Sequence, residues 1–340
     1  MKLAYIYDCC VQNSYYIEDG VAYDYISNKP YMHIHSITPS LYIGGLNFPF
    51  LWGDGSFLNI KEWVENDLDL PDGDFDMIMY ANERLGLDDE NKKKYSVERL
   101  KRKYPNAKVF GWFKELELSV HNREVRSRNR IDFLKECDGL IAHGITTMKN
   151  SPFMLEIEKQ LGKKIKNYIS LPMNIDTFYD NFYSNEKENS IFAYLPSPVH
   201  RRGDTYSFAE YIGKKYNIPV RYKAFKGDQE YYYLSAKEFI ELWSPSVYHF
   251  NLDKTEFHPG MQAMQVANAG SINIGGMNES HGILFPNTAT NDFKILEEKF
   301  VEYINDEDKR FQDIEYAWIK LNEIYNFDTV KKQLLEIYNA

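Results

Sequence analysis

Apolar runs of about five residues recur along this chain, each closed by a polar or turn residue, with amphipathic stretches of helical length between them. The runs at 3–7, 75–80, 108–113, 139–143 and 167–171 are mostly continuous rather than alternating. A strand that is apolar on both faces has to be covered on both faces, which is the condition of a parallel sheet with helices above and below. Helices are expected over 60–67, 96–104, 126–137 and 149–161, the last stopped by Gly162. Such alternation makes βα units. Residues 9–60, rich in Tyr, Gly and Pro, carry no clear period and read as irregular.

A polar, charged segment at 180–189 reads as an interdomain linker. The alternation then starts again. Strands are expected at 191–195, 220–225, 247–251 and 271–274, helices at 205–216, 235–242 and 260–268, and only helix from Asp292 onward. With 340 residues the chain is too long for one ordinary core. It is read as α/β, with two doubly wound, Rossmann-like domains over residues 1–180 and 190–324. A closing helix over 325–340 is expected to pack back on the first of them. Ligands of such sheets lie outside the carboxyl ends of the strands, so a cleft faced by both domains is the natural site.

Net charge is −10, which argues against nucleic acid as a partner of the whole surface. One stretch disagrees. Between Arg99 and Arg130 stand ten Lys or Arg against Glu115, Glu117 and Glu124. A solvated helix face and a polyanion-facing patch both fit that stretch. The cysteines, Cys9, Cys10 and Cys137, show neither CxxC nor Cys/His ligand spacing, which speaks against a zinc site and fits a reducing cytoplasm. No apolar leader is visible at MKLAYIYD, and no stretch has the length of a membrane span.

Two segments of the second domain carry the chemistry. His200-Arg201-Arg202-Gly203-Asp204 lies between an expected strand and an expected helix. Two forked guanidinium groups before a glycine that permits close backbone approach suit a diphosphate. In Glu256-Phe257-His258-Pro259-Gly260-Met261-Gln262, the Pro-Gly pair opens a helix whose first N–H groups are free to meet an anion. Gln262 and Gln265 fall about one turn apart on it. A helix packed on a sheet through small residues accounts for Ala263, Val266, Ala267 and Ala269, but less well for the two glutamines.

From Gly260 to Ile274 the sequence GMQAMQVANAGSINI resembles the donor-binding segment of GT-B glycosyltransferases, in which a helix ending Glu-Ala-Met-Ala-x-Gly leads into a buried strand. Glu279-Ser-His-Gly282-Ile-Leu-Phe-Pro286 is similar to their turn and G-x-L-F/V-P edge, and Arg202-Gly203 stands where they carry Lys-Gly. Asn174-Ile-Asp176-Thr-Phe178 and the closing helices are also similar, so the resemblance covers about half the chain, from residue 168 to the end. Gln265 replaces the family's ribose-binding Glu, the family's paired-Glu motif falls at Phe257 with Glu256 one residue out of step, and Ser197 replaces an Arg. The glycine-rich acceptor loop after the first strand is replaced by Asp8-Cys9-Cys10-Val11-Gln12.

The resemblance implies a GT-B fold and transfer of a sugar from a nucleotide-diphosphate donor, a UDP-sugar before others. It implies no obligatory metal and no cofactor beyond that co-substrate. Arg201, Arg202 and Gly203 would hold the diphosphate with the helix start at Pro259, Gly260 and Met261. Glu256, His258, Gln262 and Gln265 would face ribose or sugar, and Phe225 and Lys226 would border the base. A retaining mechanism needs no protein nucleophile, while an inverting one needs a base, for which Asp8, Glu83, Glu115 and His143 are candidates. The acceptor stays open between a glycan, a small molecule and, as in viral enzymes of this fold, a hydroxymethylated DNA base. A non-catalytic nucleotide-sugar-binding protein and a GT-B-shaped epimerase or phosphorylase are the alternatives.

Overall fold

The computed structural model describes residues 1–7, 15–18, 21–24, 56–59, 72–81, 96–113, 134–144, 149, 151–170, 186–193, 203–222, 242–254 and 260–340. The chain divides into two compact units. Unit 1 comprises Met1–Tyr31, Leu46–Ser170 and Val330–Ala340, and unit 2 comprises Leu171–Thr329 with Met32–Gly45.

Unit 1 is built on a six-stranded sheet. Its strands are β1 (Leu3–Tyr7), β4 (Ser56–Asn59), β5 (Met77–Ala81), β6 (Lys108–Phe113), β7 (Gly139–His143) and β8 (Asn167–Ile169). The order is β4-β1-β5-β6-β7-β8, with every pair parallel. Met77, Ile78, Met79 and Tyr80 are all fully buried, as a strand covered on both faces requires. The stretch 9–60, expected to be irregular, instead contributes β4 and an antiparallel hairpin of β2 (Tyr15–Glu18) with β3 (Val21–Asp24). These strands are four residues long, too short to show a period.

The helices of unit 1 begin and end where capping chemistry dictates. In α1 (Val97–Lys103) the Ser96 hydroxyl accepts from Arg99 N. Glu98 sits in the first turn and Lys101, Arg102 and Lys103 in the last, each sign facing the favourable end of the helix dipole. In α2 (Pro152–Leu161) Ser151 caps Met154 N, Pro152 fills the first position and Gly162 ends the helix at φ 68°. This start is three residues later than the periodicity alone suggests, because a proline at the first helical turn fixes the boundary. Residues 134–136 are helical, within the expected helix over 126–137.

Unit 2 carries β9 (Glu188–Ala193), α3 (Gly203–Tyr216), β10 (Val220–Tyr222), β11 (Ser246–Phe250), α4 (Met261–Asn268) and β12 (Ile272–Ile274). These are followed by α5 (Glu279–Leu284), a 3-10 turn at Pro286–Thr288, α6 (Phe293–Asn305) and α7 (Glu307–Tyr325). The sheet is parallel, in the order β10-β9-β11-β12. Its core joins Phe192, Trp243, Tyr248, Phe250, Met264, Phe300 and Leu321. Phe208 stacks on Phe250 and on Phe293, at centroid distances of 5.5 and 4.7 Å.

Two expectations for unit 2 need correction. The end of the segment read as a linker is structured. Glu188 N donates to Pro245 O at 2.8 Å, and Lys187 Nζ donates to Ser244 O at 2.7 Å and to Ser271 Oγ at 3.1 Å. Burial pushes the Lys187 ammonium down to about 8. Charge in the sequence marked this stretch as solvated, whereas backbone pairing with the β11 side decides it. The turn expected at Glu279 is instead the helix α5, capped by Asn278.

The last helix, α8 (Phe327–Asn339), takes the chain back to unit 1, to which Val330–Ala340 belongs. Gln333 Oε1 accepts from Ser170 N at 3.0 Å, and Lys108 Nζ donates to Tyr338 O at 2.6 Å.

Candidate functional site

Strand order locates the candidate site in unit 2. From β9 the chain runs through α3 to β10 on one side, and from β11 through α4 to β12 on the other. The order therefore reverses between β9 and β11. Their last residues, Ala193 and Phe250, are register partners, and Phe250 also pairs with Ile274. A crevice opens outside the carboxyl ends of adjacent strands at such a reversal, and the helices that leave those strands start beside it.

The two helix starts are tied to this edge. Thr205 Oγ1, in the first turn of α3, accepts from Leu252 N at 3.0 Å, and Asp204 pairs with Lys254 at 2.7 Å. The residues just after β11 thus hold the beginning of α3. Gly203 opens that helix directly after Arg201 and Arg202.

The start of α4 is of a different kind. Gly260 is its N-cap residue at φ 72°, and no side chain caps the helix. In the first turn Gln262 is only 4% exposed, and both atoms of its carboxamide lack a hydrogen-bond partner among the described residues. Asn251 Oδ1, one residue past β11, is likewise buried and unpartnered. Leaving a buried polar group unsatisfied costs about 1–3 kcal/mol, which is recovered when a ligand or water supplies the missing partner. Gln265 is also buried. The remaining faces of α4, with Ala263, Met264, Val266 and Ala267, are packed in the core.

Behind this edge lies a buried polar network, in which only Asn273 Oδ1 lacks a partner among the described residues. Thr288 Oγ1 donates to Asn273 O at 2.6 Å, and this bond takes the hydroxyl proton. The same oxygen then accepts from His281 Nε2, at 3.3 Å, while His281 Nδ1 accepts from Asn273 Nδ2 at 3.1 Å. Burial holds the His281 imidazole down near 3, so it is neutral with its proton on Nε2. Glu279 occupies the first turn of α5, where a carboxylate is favoured by the helix dipole.

Of the residues singled out from sequence, Gly203, Gly260, Met261, Gln262 and Gln265 fall at this edge, in α3 and α4. Arg201, Arg202, Phe225, Lys226, Glu256, His258 and Pro259 lie outside the described residues, as do Asp8, Glu83 and Glu115. His143 is the last residue of β7, its backbone paired with Ile169. Sequence reasoning missed Asn251, Asn273, Asn278, Ser280 and Thr288. For Asn278 a signal existed, since an Asn three residues before His281 is an N-cap pattern. Among the described residues there is no cluster of three or more His, Cys, Asp or Glu that could hold a metal ion. No described helix is long and apolar enough to cross a membrane.

The basic stretch of unit 1 is largely matched where it is described. Lys101 pairs with Asp138, Arg102 with Glu98 and Lys103 with Asp72, while Lys108 donates to the Tyr338 carbonyl.

No protein-family model and no curated sequence matches the chain. Solved structures do. An α-glucosyltransferase in complex with UDP and a 13-mer DNA containing a HMU base matches with a TM-score of 0.63 at 12% identity, covering all of both chains. An α-glucosyltransferase bound to UDP-glucose and DNA containing an abasic site gives 0.62, also at 12% identity and full coverage of both. Anabaena HepE in complex with UDP and glucose gives 0.56 at 9% identity, covering 100% of this chain and 99% of that one. The chain has the GT-B fold of these glycosyltransferases.

Proposed function

We propose that the protein is a glycosyltransferase that binds a UDP-sugar at the β9/β11 edge of unit 2 and transfers the sugar to an acceptor hydroxyl. The observation that carries this reading is the start of α4, without a side-chain cap, beside the strand-order reversal, with the Gln262 carboxamide buried and unpartnered among the described residues. Free N–H groups at a helix start favour the negative charge that grows on a leaving diphosphate. In this reading Arg201, Arg202 and Gly203 grip the diphosphate together with Pro259, Gly260 and Met261. Gln265, Glu256, His258 and Gln262 meet ribose or sugar, and Phe225 and Lys226 border the base. Helix dipole and guanidinium charge do the work that a metal does elsewhere, so the reaction runs without one, in the cytoplasm.

A retaining course is favoured, because the diphosphate can assist the incoming hydroxyl and no protein nucleophile is required. If a base takes part, Asp8 and Glu83 are the first candidates. In sequence Asp8 follows β1 directly and Glu83 comes two residues after β5, and these strands flank the reversal of order in unit 1, their last residues Tyr7 and Ala81 being register partners. His143 is the last residue of β7, further along the sheet, and Glu115 comes two residues after β6 in the sequence.

A hydroxymethylated base in DNA is a second reading of the acceptor. It is favoured by the full-length likeness to α-glucosyltransferases whose complexes contain DNA. Transfer of glucose from UDP-glucose to a duplex carrying hydroxymethyluracil or hydroxymethylcytosine tests it directly, against glycan and small-molecule acceptors.

A thermal-shift panel of nucleotide-sugars tests the donor. A true donor at about 100 times its Kd stabilises the fold by about 2.7 kcal/mol, a shift of several degrees. Arg202→Ala should remove that shift while leaving the unliganded Tm unchanged. A panel in which no nucleotide-sugar raises Tm overturns the proposal.

A further inference from the structure

The start of α4 is uncapped, yet it is not loose, and what holds it comes from another helix. Ser280, in the first turn of α5, is fully buried, and its hydroxyl donates to the Gly260 carbonyl oxygen. The Ser280 oxygen also lies 3.2 Å from Asn278 Oδ1, which caps α5 by accepting from His281 N at 3.0 Å. The Asn278 side chain is packed so closely on the Gly260 backbone that a Cβ at residue 260 would overlap its carboxamide. Gly260 is therefore required twice, for its positive φ and for the space that Asn278 occupies.

The consequence is directional. The N–H groups that open α4 point wherever the Gly260 peptide sends them, and that peptide is fixed by a buried hydrogen bond and a packed amide, neither of which consumes those donors. In the same turn the carboxamide of Gln262 is buried and has no hydrogen-bond partner among the described residues, so it is a polar group able to meet a ligand. A side-chain cap would have consumed one of the donors at this start. Holding the N-cap carbonyl from behind keeps the geometry and leaves the N–H groups free.

We propose that Ser280, together with Asn278, is a positioning residue for the donor diphosphate, acting through the Gly260 carbonyl to aim the free N–H groups of α4. The inference rests on the donor-binding reading above, and it adds residues that touch the backbone rather than the ligand.

The test compares two ligands that differ only in the diphosphate. UDP and uridine are titrated into wild-type protein, Ser280→Ala and Ser280→Cys, with ligand-observed NMR as the readout. Ser280→Cys nearly keeps the volume and gives up most of the hydrogen bond, so it guards against a variant that fails to fold. Loss of one aiming hydrogen bond should weaken UDP about 5- to 10-fold in each folded variant. Uridine affinity should stay within about 2-fold of wild type by the same reasoning, because the nucleoside lacks the anion. Equal weakening of both ligands, no weakening of either, or failure of both variants to fold overturns the positioning role. A wild-type protein that binds neither UDP nor uridine overturns the donor-binding reading itself, and this inference with it.

Discussion

The two units use one topology and treat its helix starts in opposite ways. In unit 1 the order reverses between β1 and β5, and in unit 2 between β9 and β11. The described helix that follows β5 is α1, whose start is closed by the Ser96 hydroxyl. The helix that follows β11 is α4, whose start carries no side-chain cap and is held instead through the Gly260 carbonyl. A capped start has at least one of its orphan donors spent on the protein, here that of Arg99. An uncapped start held in place by a neighbour keeps those donors for something else. Topology offers a crevice twice in this chain, and the capping chemistry distinguishes the two.

Gly260→Ala should break that distinction most severely. The added methyl group meets Asn278 and the residue must hold a positive φ, so the start of α4 has to move. UDP affinity should fall by at least about 30-fold, equivalent to about 2 kcal/mol. Calorimetric titration checks this, and an unchanged affinity would show that the α4 start does not meet the diphosphate.

Acid sharpens the comparison from another direction. Burial, joined at His249 by the nearby Lys187 charge and opposed at each by a hydrogen bond, holds the imidazoles of His249 and His281 in unit 2 near 3. Each takes up a proton in the unfolded chain below about 6.5 but not in the fold until about 3, so the stability they contribute is complete above 6.5 and falls with pH through that window. The slope approaches about 1.4 kcal/mol per pH unit for each imidazole. In unit 1 the described shifts lie elsewhere, with burial pushing Cys137 and Tyr104 up to about 12. Between pH 6.5 and 5, unit 2 should lose about 2–4 kcal/mol. Urea midpoints, read from hydrogen exchange of peptides from each unit, measure this. A flat profile for unit 2 would mean that the two imidazoles are not held neutral.

The smallest effect belongs to unit 1. Lys103 is already matched by Asp72, at an exposed surface position. Lys103→Ala should change stability by no more than about 0.5 kcal/mol. Affinity for a hydroxymethylated duplex should change by less than about 2-fold at both 50 and 200 mM salt, since a paired lysine releases few counterions. A clear fall in the salt dependence would return this helix to the acceptor surface.

Much of the fold was legible because its signals are local. The apolar runs at 3–7, 108–113 and 139–143 are strands with those bounds, and the helix expected over 96–104 runs from Val97 to Lys103 between its caps Ser96 and Tyr104. The pattern of glycines and small residues at 260–274 correctly marked a helix, a turn and a buried strand. β4 and the start of β9 were not legible, since their residues acquire strand geometry from partners far along the chain. The hairpin is local, its strands separated only by Asp19-Gly20, and was missed because each strand is four residues long. At the site, Gly260, Gln262 and Gln265 could be picked out by resemblance and spacing. Asn278 could have been found from its N-cap pattern, whereas Asn251 and Ser280 could not, because nothing in their immediate neighbourhood requires a buried polar residue.

The sequence by itself determined which stretches become strands and helices, since periodicity, capping residues and glycines act within one or two turns of the chain. Only the tertiary structure decided where the strand order reverses and which helix starts stay open. It also decided that Ser280 reaches the carbonyl of Gly260, twenty residues earlier. Those outcomes depend on register between strands and on packing between helices distant in the chain, and a local pattern carries no information about either.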